Sequence, residues 1–354
     1  MPFLPLIGHD ALRERLDGQA SRGALPASLL LQGPPGVGKQ RLALWLGQRL
    51  LCESAGAPCG ACQHCSYALR GVHPDLHWFF PRPRLKDSSD IPVEEVARDY
   101  DEAIAERAAA HGLYAHGDGS QGIFVYTTRL IVQQAVRTPS MARRKVFVVG
   151  DAERMVPQLS SPEAANAFLK LLEEPPADTT IILTSSEPGA LLPTIRSRVV
   201  SVRVPPLSEA AVRAFLAQPE VASVVGGGAT TGELVLLAHG APGALIGAEG
   251  SGRALDRARA LLDAAPRGRE HAMRAAFVQG SSKARGQFAD VLDAMTVLLH
   301  ERSRDAARAG DRGAAAASAR AVRFVEEAKR SAEGNVSPQL LTARLLGKLS
   351  ECGA

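Results

Sequence analysis

Gly33-Pro34-Pro35-Gly36-Val37-Gly38-Lys39 decides the fold of this chain, because of what stands on either side of it. Ser28-Leu29-Leu30-Leu31 is an apolar run of strand length, and Leu42 to Leu51 is periodic enough for a helix. Strand, glycine loop and helix in that order open a parallel α/β sheet. The glycines free successive backbone N–H groups to wrap phosphate oxygens, the helix N-terminus adds partial positive charge, and Lys39 adds a point charge. Gly33, Pro34, Pro35, Gly36, Val37, Gly38, Lys39 and the following Gln40 are therefore the candidate phosphate-binding residues.

Outward from this loop, Lys145 to Val149 and Thr180 to Thr184 have the continuous apolar character of strands covered on both faces. Glu163 to Glu174 predicts a helix stopped by Pro175-Pro176. A last strand, Val199 to Val204, runs into Pro205-Pro206, which marks a domain boundary. Upstream, residues 9 to 22 predict an amphipathic helix with Leu12, Leu16 and Ala20 on one stripe. Beyond the boundary the strand signal fades. Ser208 is expected to cap a helix through Phe215, and Thr231 another through His239, with Gly226-Gly227-Gly228 between them. The tail is helical by pattern: Phe288, Val291, Leu292, Met295, Leu298 and Leu299 form one stripe, and Ala321, Val322, Phe324 and Val325 part of another. A final helix starts at Pro338, a favourable first-turn position. Residues 83 to 122 fit no strand and are expected to be an insertion, with a helix over 93–110 and no assigned chemistry.

The bulk numbers agree with this layout. A length of 354 residues allows two or three domains, and 45% apolar with 22% charged residues is the profile of a globular protein. Aromatics reach only 5% while Ala and Arg abound, which suits helices packed through small side chains. The net charge of +4 comes from Arg interleaved with Asp and Glu, so no concentrated basic face for nucleic acid is expected. Met1-Pro2-Phe3-Leu4-Pro5 lacks the basic start and apolar core of an export signal, and no apolar run approaches the ~20 residues that span a bilayer. A cytoplasmic location is expected.

The parts needed for hydrolysis are incomplete. A Ser or Thr normally follows the loop lysine and coordinates Mg²⁺; here Gln40 stands there, and its amide reaches a metal only in altered geometry. After Val146-Phe147-Val148-Val149 a metal-binding acid and then a water-activating Glu are needed, but the chain continues Gly150-Asp151-Ala152-Glu153. Counted without a gap, Gly150 takes the acid's place and Asp151 the base's. Shifted by one, Asp151 takes the metal and Ala152 the base's place. Neither register restores both groups. ATP or ADP binding is expected to survive and hydrolysis is not.

Cys59-x-x-Cys62-x-x-Cys65, with Cys52 seven residues upstream, offers four thiolates for a tetrahedral Zn²⁺. In a reducing compartment such a cluster points to metal before disulfide. An iron–sulfur cluster would use the same ligands. Four sulfurs close the site, so its role would be structural. His64 and His73 are bystanders on this account, and Cys352 is a free thiol.

With these residues on the page, the chain closely resembles bacterial clamp-loader ATPases of the AAA+ class, most specifically their delta-prime branch. Four stretches carry the resemblance: the phosphate loop followed by Cys59-Gly60-Ala61-Cys62-Gln63-His64-Cys65, then His73-Pro74-Asp75-Leu76-His77, then Ala164 to Pro176, and finally Thr194-Ile195-Arg196-Ser197-Arg198-Val199. The resemblance implies an α/β P-loop core over 1–205 with a zinc module at 52–65, a helical lid over 206–250 and an all-α collar over 251–354. It implies that Arg198 reaches the ATP γ-phosphate held by a neighbouring subunit, stabilising charge that develops on the transferred group. It also implies a sensor role for Thr184 and a nucleotide-site role for Asp151. The implied partners are gamma/tau and delta subunits, a sliding clamp and primed DNA. Departures are informative. Val199 replaces the family's cysteine, and Gly240-Ala241-Pro242-Gly243-Ala244-Leu245 lacks the lid arginine of the motor subunits. The insertion and extra residues around Pro157 to Ser161 also depart from the pattern. Gln40, the incomplete acid pair and the missing lid arginine favour a non-motor subunit over the alternative, an active gamma/tau-type ATPase. A zinc-dependent nucleic-acid module ranks lower, because basic and aromatic residues around the cysteines are sparse.

Overall fold

Strand β1 (Ser28–Gln32) lies between two parallel neighbours, and that position places the glycine loop. The computed structural model describes residues 2–85, 91–114, 121–155, 162–225, 229–246, 251–267, 270, 271, 274, 285–332 and 337–352. Four further strands complete the sheet: β2 (Leu76–Phe79), β3 (Lys145–Val149), β4 (Thr179–Ser185) and β5 (Val200–Arg203). Their order is β2-β3-β4-β1-β5, and every pair is parallel. Leu29, Leu30, Leu31 and Val146 to Val149 are almost wholly buried, as expected for strands covered on both faces. Each such aliphatic side chain contributes roughly 1.5–3 kcal/mol. Edge strand β5 is the exception, with only Val202 buried.

The chain falls into two units, Met1–Phe215 with Gly240–Ala244, and Leu216–His239 with Leu245–Ala354. In the first, the helices are α1 (Asp10–Ser21), α2 (Lys39–Leu51), α3 (Gln63–Leu69), α4 (Val93–Ala109), α5 (Val125–Ala135), α6 (Pro162–Glu173) and α7 (Pro193–Arg196). Helix α2 begins at Lys39 and not at Leu42, since the Leu42 N–H already donates to the Gly38 carbonyl at 2.9 Å. It buries Leu42 and Leu46 and packs against β3 and β4. Among its described residues the expected insertion contains α4 and no strand, and its two ends are tied by an antiparallel bridge between Arg82 and Gly122. Strand β2 and helices α3 and α5 were not expected from the pattern.

Helix α8 (Glu209–Leu216) closes the first unit's chain path. In the second unit α9 (Pro219–Val225), α10 (Thr231–Ala238), α11 (Ser251–Ala264), α12 (Arg285–Arg308), α13 (Arg312–Ala332) and α14 (Pro338–Cys352) are helical. The cap of α10 is Thr230, not Thr231: its hydroxyl accepts the Glu233 N–H while the Glu233 carboxylate accepts the Thr230 N–H, a reciprocal capping box. The predicted stripe Phe288, Val291, Leu292, Met295, Leu298 and Leu299 is buried, together with Ala321 and Val325. Gly226-Gly227-Gly228, Gly117 to Ser120, Pro157 to Ser161 and the side chain of Cys352 lie outside the described residues. Among the described residues no helix is long and apolar enough to cross a membrane.

Candidate functional site

The glycine loop leaves the carboxyl end of β1, between β4 on one side and edge strand β5 on the other. Crevices of this kind, at the carboxyl ends of parallel strands, are the usual ligand sites of open α/β sheets. Gly36 and Gly38 have φ of 75° and 95°, left-handed values that favour glycine. Gly36 is also pressed against Gly240–Ala244: the Gly243 N–H donates to the Gly36 carbonyl at 2.8 Å, and a Cβ on Gly36 would come within 2.3 Å of the Ala244 nitrogen.

Lys39 is buried and its three ammonium protons are all used. Nζ donates to the Gly33 carbonyl at 2.9 Å, the Pro34 carbonyl at 2.8 Å and Ser186 Oγ at 2.8 Å. Burial lowers its pKa, against the pull of the Asp151 and Glu153 carboxylates. The Glu153 carboxylate accepts the Ser186 N–H through Oε1 at 2.9 Å, while its buried Oε2 has no partner among the described residues.

Gln40 fills the space beside the lysine. Trp78 Nε1 donates to its Oε1 at 3.0 Å, and its Nε2 donates to Asp151 Oδ2 at 3.1 Å. An indole N–H can only donate, which fixes the orientation of the amide. A Cβ on Gly150 would lie 2.4 Å from this amide. Position 40 therefore meets both Gly150, at its missing Cβ, and the Asp151 carboxylate. Asp151 takes a left-handed conformation (φ 48°), and its N–H donates to Thr184 Oγ1 at 3.1 Å. The Thr184 hydroxyl thus holds the Asp151 backbone in place.

The sheet sets Arg198 apart from this group. It precedes β5, whose Val200 pairs with Leu29 near the start of β1, whereas the glycine loop follows Gln32 at the other end. At about 3.3 Å per residue, the strand alone separates the two by roughly 10 Å. Arg198 Nε donates to Glu173 Oε2 at 3.0 Å and Nη1 to the Thr194 carbonyl at 3.0 Å. Its pairing with Glu173 is a partly exposed one, worth ~0–1 kcal/mol, and is easily exchanged for another acceptor.

The four cysteines converge at the far end of α2. Cys52 is the C-cap of α2, Cys62 is the N-cap of α3, and Cys65 lies inside α3. Gly56 and Gly60, both with positive φ, turn the intervening loop. All four Sγ atoms lie within 4.8 Å of one another, with Cys52–Cys62 at 3.8 Å and Cys59–Cys65 at 3.9 Å. Disulfides need about 2.05 Å. Sulfurs placed tetrahedrally around Zn²⁺ at about 2.3 Å stand about 3.8 Å apart, so the donor set fits a metal of that size. The Cys62 backbone N–H holds the Cys59 thiol down to about 5, and burial pushes Cys65 up to about 12. His64 and His73 bond each other, Nδ1 to Nε2 at 3.0 Å, and belong to no ligand cluster.

The sequence therefore located the loop, the four cysteines and the Gln40–Asp151–Thr184 group, all of which the structure assembles. It did not reveal Trp78, Glu153, Ser186 or Gly243 as members of the loop's surroundings, because nothing local marks them.

Residues 8–208 match the sequence model of the family described as "DNA polymerase III, delta subunit". The chain is 33% identical over 210 residues to DNA polymerase III subunit delta' of Pseudomonas aeruginosa, covering 59% of this chain and 51% of that protein. It is 32% identical over 200 residues to the delta' subunit of Escherichia coli, covering 56% and 47%. DNA polymerase III subunit gamma/tau of Mycobacterium bovis is 27% identical over 218 residues, covering 61% of this chain and 31% of its own length. The matched stretch spans about half the length of the delta' relatives. With more than half of its length matched by the family model, the chain belongs to the DNA polymerase III delta subunit family.

Proposed function

We propose that this chain is a non-motor, delta-prime-type subunit of a DNA polymerase III clamp loader, acting in the cytoplasm. It helps place a sliding clamp on primed DNA and lends Arg198 to the ATP site of a neighbouring subunit. One observation carries this: the Gln40 amide, pinned between Trp78 and Asp151, occupies the space where a hydroxyl and an acid would share Mg²⁺. ATP or ADP can still meet the loop if Lys39 swings off its carbonyls, but Gln40 stands where a Ser or Thr hydroxyl would share Mg²⁺ with an acid. The same feature weighs against an active gamma/tau-type ATPase. The four sulfurs hold Zn²⁺ as a structural clasp. Residues 206–250 act as the lid and 251–354 as the collar that meets gamma/tau and delta subunits. Support for Arg198 acting in trans is its place at the end of the sheet opposite its own loop.

Reconstitution with gamma/tau, delta, clamp and primed DNA tests the proposal. The purified chain should show no hydrolysis above background. Arg198→Ala should leave assembly intact and slow single-turnover hydrolysis at the neighbouring site by about 10²-fold or more. Hydrolysis by the isolated chain that Lys39→Ala abolishes would overturn the non-motor assignment; unchanged turnover with Arg198→Ala would remove the finger.

A further inference from the structure

Ser186 follows the last residue of β4 and stands beside the glycine loop, because β4 pairs with β1 and Ser185 lies opposite Gln32. Two contacts fix it there. The Gly33 N–H donates to the Ser185 carbonyl at 3.2 Å, and the Ser186 N–H donates to Glu153 Oε1 at 2.9 Å. The Ser186 hydroxyl in turn accepts a proton from Lys39 Nζ at 2.8 Å. Ser186 is half-buried, whereas Lys39 is only 4% exposed.

A lysine ammonium has three protons to donate and accepts nothing. All three are committed within the chain, two to carbonyls of the loop itself and one to Ser186. A phosphate oxygen therefore reaches Lys39 only by displacing an acceptor that is already there. The loop does not depend on Ser186 for its shape. Its Gly36 carbonyl accepts the Gly243 N–H at 2.8 Å, its Val37 carbonyl accepts from His9 Nε2 at 2.9 Å, and its Gly38 carbonyl accepts the Leu42 N–H at 2.9 Å. The Asp151 and Glu153 carboxylates favour the charge on Lys39 and would repel an incoming phosphate. Without the Ser186 hydroxyl, a buried ammonium proton has no acceptor until a phosphate brings one. Loss of the hydroxyl thus penalises the empty loop and spares the occupied one, which raises affinity.

We propose that Ser186 is an internal competitor of phosphate: its hydroxyl takes the lysine proton that a nucleoside di- or triphosphate needs, and so weakens nucleotide binding at the loop. This rests on the reading that the loop still meets nucleotide without hydrolysing it. Gln40 acts where the metal would stand and Ser186 where the lysine meets phosphate, so the two restraints are separate.

Calorimetric titration of the full chain with ADP and with adenosine tests this. Ser186→Ala should tighten ADP binding about threefold or more and leave adenosine unchanged, since only the phosphates meet Lys39. Ser186→Thr, which restores the hydroxyl, should lose most of that gain. Ser186→Cys, close in shape but with a weakly accepting thiol, should show the gain if Ser186→Ala does not fold. Adding Lys39→Ala to Ser186→Ala should abolish it. Without ligand, Ser186→Ala should melt a few degrees below wild type, and saturating ADP should narrow the difference. A gain under about threefold in the folded variants, a gain that survives Lys39→Ala, or no ADP binding by wild type and variants up to about 10 mM would each overturn the proposal. The readout is ADP affinity, which is separate from the hydrolysis assay that tests the non-motor role.

Discussion

Gln40 and Gly150 make sense only together. The amide fits because position 150 has no Cβ, and the glycine leaves no void because the amide is there. Gly150→Asp alone should overpack the site and cost about 1–3 kcal/mol. Gln40→Thr alone should cost a similar amount, about 1–3 kcal/mol, because Trp78 Nε1 loses its acceptor in a buried place. The double variant should cost less than the sum, with a coupling of about 1 kcal/mol or more in urea melts; simple additivity would show that the two positions do not share space. His77 behaves differently. It stacks on Phe147, and burial lowers its pKa to about 4. Between pH 6.5 and 4 the unfolded chain binds a proton that the folded chain refuses. Its contribution is complete above that window and is lost as pH falls through it, about 2 kcal/mol between pH 7.5 and 5. His77→Phe should flatten that part of the urea-midpoint curve relative to wild type, and parallel curves would refute it.

At the scale of elements, α2 is a strut with a site at either end. Its 13 residues span about 20 Å. Lys39 opens it at the loop, and Cys52 closes it at the clasp. Metal analysis should find about one zinc per chain, and stripping it with a chelator should free α3, lowering the stability of the first unit while the second melts as before. Iron in the cysteine cluster, or melting unaffected by chelation, would contradict this. How legible each element was depended on what its residues answer to. The runs at 145–149 and 180–184 are buried on both faces and read as strands at once. Strand β2 was missed because it is a four-residue edge whose His77 interrupts the apolar run. Helix α5 was missed because Val125, Thr127, Thr128, Ile131 and Val132 are β-branched, and only packing against α4 and α6 overrides that preference.

At the scale of the molecule, two cores serve two purposes, one around the sheet and one among helices of the second unit. Sequence alone could show that Gln40 and Gly150 depart from an ATPase pattern. It could not show that one departure fills the room left by the other, since residues so distant in the chain meet only through the β1–β4–β3 pairing. The same limit hid the Lys39–Ser186 contact, which depends on how β4 pairs with β1. The opposed placement of Arg198 and the loop has one more consequence. Parallel strands give the core a direction, like a link with a hook at one end and an eye at the other. Copies joined hook to eye extend a row that closes only if the rotation allows. On the proposed function this link keeps its hook while its eye is filled by Gln40, so it can finish a row of active neighbours but cannot continue one.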